Sequence, residues 1–159
     1  MAKPNDNIRA PEWINQLIST TGKYADLADG INIRNFSQIK IINKPWGFEL
    51  WLADGSVTDY ALKIIFLKKG SQTSLQYHKK KAEHNCIFSG QVNFHYQDKE
   101  TKENKKIVLS AGHVIYISPP NVHRIEALTD VLLIEASTNH LDDVVRIADD
   151  YHRDNTSTP

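Results

Sequence analysis

The chain has 159 residues, one cysteine, and 19 acidic against 19 basic side chains, for a formal net charge of zero. That length predicts one domain with a real core. The charge balance excludes a global field for nucleic acid or anionic membrane, one cysteine excludes an internal disulfide, and no apolar run approaches the roughly 18 residues that span a bilayer. The start, MAKPNDNIRAPEW, lacks the apolar segment of a signal peptide. The expectation is therefore a soluble cytoplasmic protein without nucleic-acid or membrane partners. Composition goes no further toward function.

In chain order, residues 1–10 are polar and aperiodic and read as a flexible lead. A helix is expected at about 11–21: Pro11 suits a first turn, and Trp13, Ile14, Leu17 and Ile18 share one stripe. That stripe must dock on the outside of the main body or on a second subunit, which makes a homodimer contact the expectation. Residues 31–36 read as a short strand. The segment 1–37 is thus an N-terminal extension to a β-rich body at 38–153.

Within that body the strands come at even spacing. Isoleucines 39, 41 and 42 are followed by a break at Pro45 and Gly47. Residues 48–53 then run to the turn signal Asp54-Gly55. Further strands are expected at 60–67, 74–78, 85–89 and 91–97, where Val92, Phe94 and Tyr96 share a face. The segment DKETKENKK, 98–106, is a charged hairpin tip, its lysines interleaved with acids. Strands at 107–109, 113–117, 123–127 and 131–137 complete the series. Residues 141–147 could form a short helix, and 154–159 read as a disordered tail. Many short strands with turn signals between them predict an all-β sandwich or barrel.

One constellation carries chemistry. Gln76 and His78 lie two apart, so on a strand both point to one face. The run Lys79, Lys80, Lys81 suits a tight turn, after which Glu83 returns beside His78. Gly70 and Gly90 bracket this unit as turn residues. A second glycine-led segment, Ala111 to His123, supplies another imidazole. Two imidazoles, a carboxylate and an amide oxygen suit one divalent ion, zinc first, with iron, manganese, nickel or cobalt as alternatives. The other histidines and Cys86 read as ordinary surface or buried side chains. Alternation turns Glu83, Asn85 and Ile87 inward with His123, Ile125 and Ala127, and turns His84, Arg124 and Glu126 outward unless a bulge intervenes.

The spacing of Gly70, Gln76, His78, Glu83 and Gly90 resembles the first cupin motif, with Gln76 where many cupins carry their first histidine. The segment from Gly112 to His123 resembles the second. More narrowly, KPWG (44–47), LKIIFLKKG (62–70), SLQYHKKKAEHN (74–85), VHRIE (122–126), LIEAS (133–137) and DDVVRIADDYHR (142–153) resemble the cupin domain of type II mannose-6-phosphate isomerases. The likeness covers about residues 44–153. It implies a cupin-like jelly-roll β-barrel with a short N-terminal helix and a short C-terminal helix.

The resemblance further implies metal ligands Gln76, His78, Glu83 and His123, and a sugar or sugar phosphate as the small-molecule partner. The implied reaction is aldose–ketose isomerisation, the ion polarising a carbonyl as a Lewis acid. Lys63 and Glu135 match a family lysine and glutamate and are candidates for proton transfer. Arg124 is a further candidate at the site. Arg124, Arg146 and Lys63 are possible anion partners. Ser118-Pro119-Pro120-Asn121 departs from the family's glycine-containing turn, which predicts a reshaped cavity mouth. The alternative readings are an iron-dependent oxygenase, a metal-assisted lyase, and a non-catalytic carbohydrate-binding cupin.

Overall fold

The computed structural model describes residues 12–20 and 29–153. It is mostly β, with eleven strands among the described residues: β1 (Lys40–Lys44), β2 (Gly47–Asp54), β3 (Tyr60–Leu67), β4 (Leu75–Tyr77), β5 (Glu83–Ser89), β6 (Gln91–Gln97), β7 (Asn104–Ser110), β8 (Val114–Ile117), β9 (His123–Ala127), β10 (Val131–Thr138) and β11 (Val145–Ala148). They form two antiparallel sheets, ordered β1-β2-β3-β10-β5-β8 and β11-β4-β9-β6-β7. This is the all-β jelly-roll architecture expected from the strand spacing. The flexible lead, most of the loop before residue 30 and the tail at 154–159 lie outside the described residues.

The inner faces of the strands explain where a site can form. Ile65 and Leu67 of β3, Ile87 of β5, and Val131 and Leu133 of β10 meet Val92 of β6 and Ile125 and Ala127 of β9 in one core between the sheets. Moving along the same strands by steps of two, the inward residues become polar: Lys63, Glu83 with Asn85, Glu135, and His123, all buried. Each strand is thus apolar at one end of its inner face and charged at the other. Antiparallel register aligns the charged ends: Lys63 pairs with Glu135, and Glu135 with Asn85. At the β1–β2 turn, a side chain at Gly47 would bring Cβ to 1.8 Å from the Phe66 carbonyl oxygen, so only glycine lets the two backbones approach this closely.

Helix α1 (Glu12–Ile18) lies within the expected span. Ile14, only 1% exposed, packs with Phe48, Leu50, Phe66 and Leu132 on the outer face of the six-stranded sheet. The stripe therefore docks at least in part on its own barrel, while Trp13 and Leu17 stay exposed. The strand expected at 31–36 is not formed. Ile31 makes an isolated bridge, and Phe36–Gln38 is a single 3-10 turn with a capping box at Asn35 and Gln38. The C-terminal helix expected at 141–147 is corrected: Val145–Ala148 is a strand that pairs with β4. Its β-branched residues satisfy either period, and the open edge of β4 decides between them.

Candidate metal centre

His78, Glu83 and His123 come together from three separate segments. His78 follows β4, Glu83 opens β5, and His123 opens β9 on the opposite sheet. One candidate ligand atom from each lies within 4.8 Å of the others, and all three residues are buried. His123 Nε2 is 3.3 Å from Glu83 Oε1, and His78 Nε2 is 3.6 Å from Glu83 Oε2.

The other ring nitrogens set the tautomers. His78 Nδ1 lies 2.7 Å from the Asp143 carbonyl and His123 Nδ1 lies 3.0 Å from the Asn121 carbonyl. A carbonyl only accepts, so both Nδ1 atoms must donate, and in the neutral rings both Nε2 atoms carry bare lone pairs. Those lone pairs face a carboxylate, an arrangement that repels itself unless something positive lies between. His78 Nε2 is buried without a hydrogen-bond partner. An orphaned imidazole nitrogen, a second lone pair and a carboxylate oxygen are the donor set of a divalent ion of the zinc or manganese class. The residues present therefore fit a metal.

The ligand turn is held from outside. The backbone N–H groups of Lys79, Lys80 and Lys81 all donate to the Asp143 carboxylate, whose own carbonyl orients His78. Three N–H donors hold that carboxyl below its ordinary value although partial burial opposes them. Asp143 stands sixty-five residues from His78, and no motif in the sequence pointed to it.

Lys81 departs from its expected place in a solvated turn. Its side chain is buried, with Nζ 2.5 Å from Glu83 Oε2 and 3.1 Å from Glu135 Oε1. The period-two pattern of 81, 83 and 85 was the signal available for it. From Glu135 the charges alternate outward: Lys63 Nζ is 3.6 Å from Glu135 Oε1 and 3.6 Å from Glu49 Oε2, and Lys44 Nζ is 3.9 Å from Glu49 Oε1. Burial alone would raise Glu83, but the Lys81 ammonium holds it far below the usual carboxylate range. Burial would likewise raise Glu49, and Lys63, Lys44 and the Trp51 indole N–H outweigh it. His78 is pushed down, by burial first and by the Lys81 charge second. Burial would lower Lys81, and its two carboxylate partners reverse this.

Apart from His78, which lies behind its wall, these groups line a cavity of about 120 Å³, room for an ion and a few waters at roughly 30 Å³ each, or for a small ligand. Of the expected site residues, Lys63, Glu135, Gln76, Glu83 and His123 line it. Gln76 sits in register opposite His123, and its Oε1 accepts from the Ser74 hydroxyl at 2.6 Å. Arg124 is corrected: it points away, its guanidinium bonding Asp150 at 2.7 Å and the Ala148 carbonyl. At the mouth, Arg146 and Arg153 stand with Lys44, and their charges add to burial in lowering Lys44.

A family profile described as mannose-6-phosphate isomerase C-terminal matches residues 32–149. Among curated proteins none matches. Three solved structures share the fold. The capsular polysaccharide assembling protein CapF of Staphylococcus aureus is 17% identical over 70% of this chain and 32% of its own, with TM-score 0.60. An oxalate decarboxylase of Lactobacillus farciminis is 16% identical over 71% and 35%, TM-score 0.60. The oxalate decarboxylase of Bacillus subtilis, which has Mn(II) centres, is 16% identical over 71% and 31%, TM-score 0.60. This chain spans about a third of the length of each.

Proposed function

Since this chain belongs to the mannose-6-phosphate isomerase C-terminal family, we propose that it is a metal-dependent cupin that interconverts an aldose and a ketose phosphate. The observation that carries this reading is the convergence of two bare imidazole nitrogens and a carboxylate beside a cavity lined by Glu83, His123, Lys63 and Glu135. The ion, held by His78, Glu83 and His123 with Gln76 beside them, would supply Lewis-acid polarisation of the substrate carbonyl.

The chain's own groups supply the rest. Glu135 Oε1 would take the proton from the carbon next to the carbonyl and return it to the neighbouring carbon. Lys63 Nζ, 3.6 Å from that oxygen, would donate to the substrate oxygen that gains charge. Lys44, Arg146 and Arg153 at the mouth suit the phosphorylated end. Leu141 and Val144 give the same cavity part of its apolar lining.

The test is an assay of metal-loaded protein against mannose 6-phosphate and other hexose and pentose phosphates. Ketose formation that disappears in Glu135→Gln, assayed with enough added metal to fill the site in both proteins, is expected. An unchanged sugar phosphate after long incubation with fully loaded protein would overturn the isomerase reading.

A further inference from the structure

We propose that Lys81 is a positioning residue that leaves Glu83 only half available as a ligand, so that the metal centre takes an oxyanion or another small anion at its open positions. The inference rests on the metal reading above and adds the class of group that completes the coordination.

The argument is one of charge in a confined space. Lys81 touches the ligand carboxylate at 2.5 Å, and its other partner, Glu135, is shared with Lys63. Glu49 lies between Lys63 and Lys44. Three carboxylates are therefore matched by three ammonium groups before any ion enters. At the mouth, Arg153 is paired with Asp149, and Arg146 and Asp142 stand on the same wall. The imidazoles, donating through Nδ1, offer lone pairs without charge. A divalent ion would bring two positive charges, of which the Asp143 carboxylate behind His78 meets at most one. Buried charge without compensation is strongly disfavoured. An anion bound directly to the ion restores the balance: a carboxylate, or the deprotonated oxygen of a hydroxycarbonyl compound. A neutral polyol does not. With Lys81 replaced by a neutral side chain, Glu83 would serve the ion fully and the call for an external anion would fall.

The experiment uses Co(II) as the ion, azide as the anionic probe and imidazole as the neutral one. Co(II) affinity is measured by competition with a coloured chelator, and probe binding by the visible spectrum of the Co(II) protein. Lys81→Met should bind Co(II) about tenfold more tightly and azide about tenfold more weakly, the order expected for loss of one nearby charge, with imidazole affinity unchanged. Lys81→Arg should keep the wild-type values. Glu135→Gln, which leaves Lys81 to Glu83 alone, should weaken Co(II) and strengthen azide. If Lys81→Met weakens both, Lys81 is only structural and the inference fails while the metal reading stands. If Lys81→Met does not fold, Glu135→Gln decides, and unchanged or tighter Co(II) there overturns the inference. Wild-type protein that binds no Co(II) would remove the metal reading and this inference together.

Discussion

His78 and His123 each give a ring proton to a backbone carbonyl and keep the opposite nitrogen bare, which suits them to a metal by tautomer as well as by position. His78→Ala or His123→Ala should lose bound metal, read by elemental analysis of protein purified without chelator, while the far-ultraviolet circular dichroism stays that of a β protein. Full metal occupancy in both variants would refute the assignment. Asp143 holds the same ligand loop through three backbone N–H groups and the His78 ring. Asp143→Ala should weaken metal binding about 10- to 100-fold, the usual penalty for removing an orienting partner, measured by chelator competition. Gln76, His78 and Glu83 were legible as neighbours because a two-residue period and one tight turn suffice to place them; His123 was added through its likeness to the second cupin motif, and the structure brings it beside His78 and Glu83. Lys81 was misplaced because a lysine run reads as solvated, yet its third member faces inward with Glu83. Arg124 was singled out against its own alternation, and the strand period prevailed.

At the scale of elements, strands β3, β5, β9 and β10 each divide their inner face into an apolar stretch and a charged one. Antiparallel pairing then places all the charged stretches at one end of the space between the sheets. The sheet order itself was not legible, because β-strand pairings across many residues leave no local trace. Helix α1 shows the reverse case: its stripe was clear, and its partner was not. Ile14→Ala should cost about 2 kcal/mol, the low end for a buried isoleucine because a short terminal helix can readjust. It should leave metal affinity unchanged, since Ile14 lies on the outer face of the six-stranded sheet. Chemical denaturation and metal titration of the same variant check both halves. The segment 141–147 was read as a possible short helix, and the strand at Val145–Ala148 was missed, because so short a run cannot distinguish a period of 3.6 from one of two.

Across the whole molecule, the alternating chain Lys44–Glu49–Lys63–Glu135–Lys81–Glu83 crosses from the mouth to the metal centre. It makes stability depend on acid. Glu49 is held below its ordinary value in the folded state, so between the folded and unfolded values the unfolded chain binds more protons. Its contribution is complete above the unfolded carboxylate value near 4.3 and is lost as pH falls through the lower, folded value. Asp149, lowered chiefly by its hydrogen bonds to Arg153, acts with the same sign. Thermal melts should therefore decline gently below about pH 6.5, where the unfolded chain protonates His78 before the folded protein does, and fall steeply below about 4. Glu49→Gln should flatten part of that fall, and a Glu49→Gln profile identical to wild type would remove Glu49 from the account.

By itself the sequence determined the strand spacing and the jelly-roll class, because these depend on short-range periods and turns that each segment carries alone, and it offered a candidate ligand set of which the structure brings His78, Glu83 and His123 together. Only the tertiary structure decided that Lys81 neutralises Glu83, that Asp143 clamps the loop carrying His78, and that residues 145–148 extend as a strand. Each of these depends on a partner far along the chain, brought close by sheet register and by the need of buried charges and open strand edges to be matched.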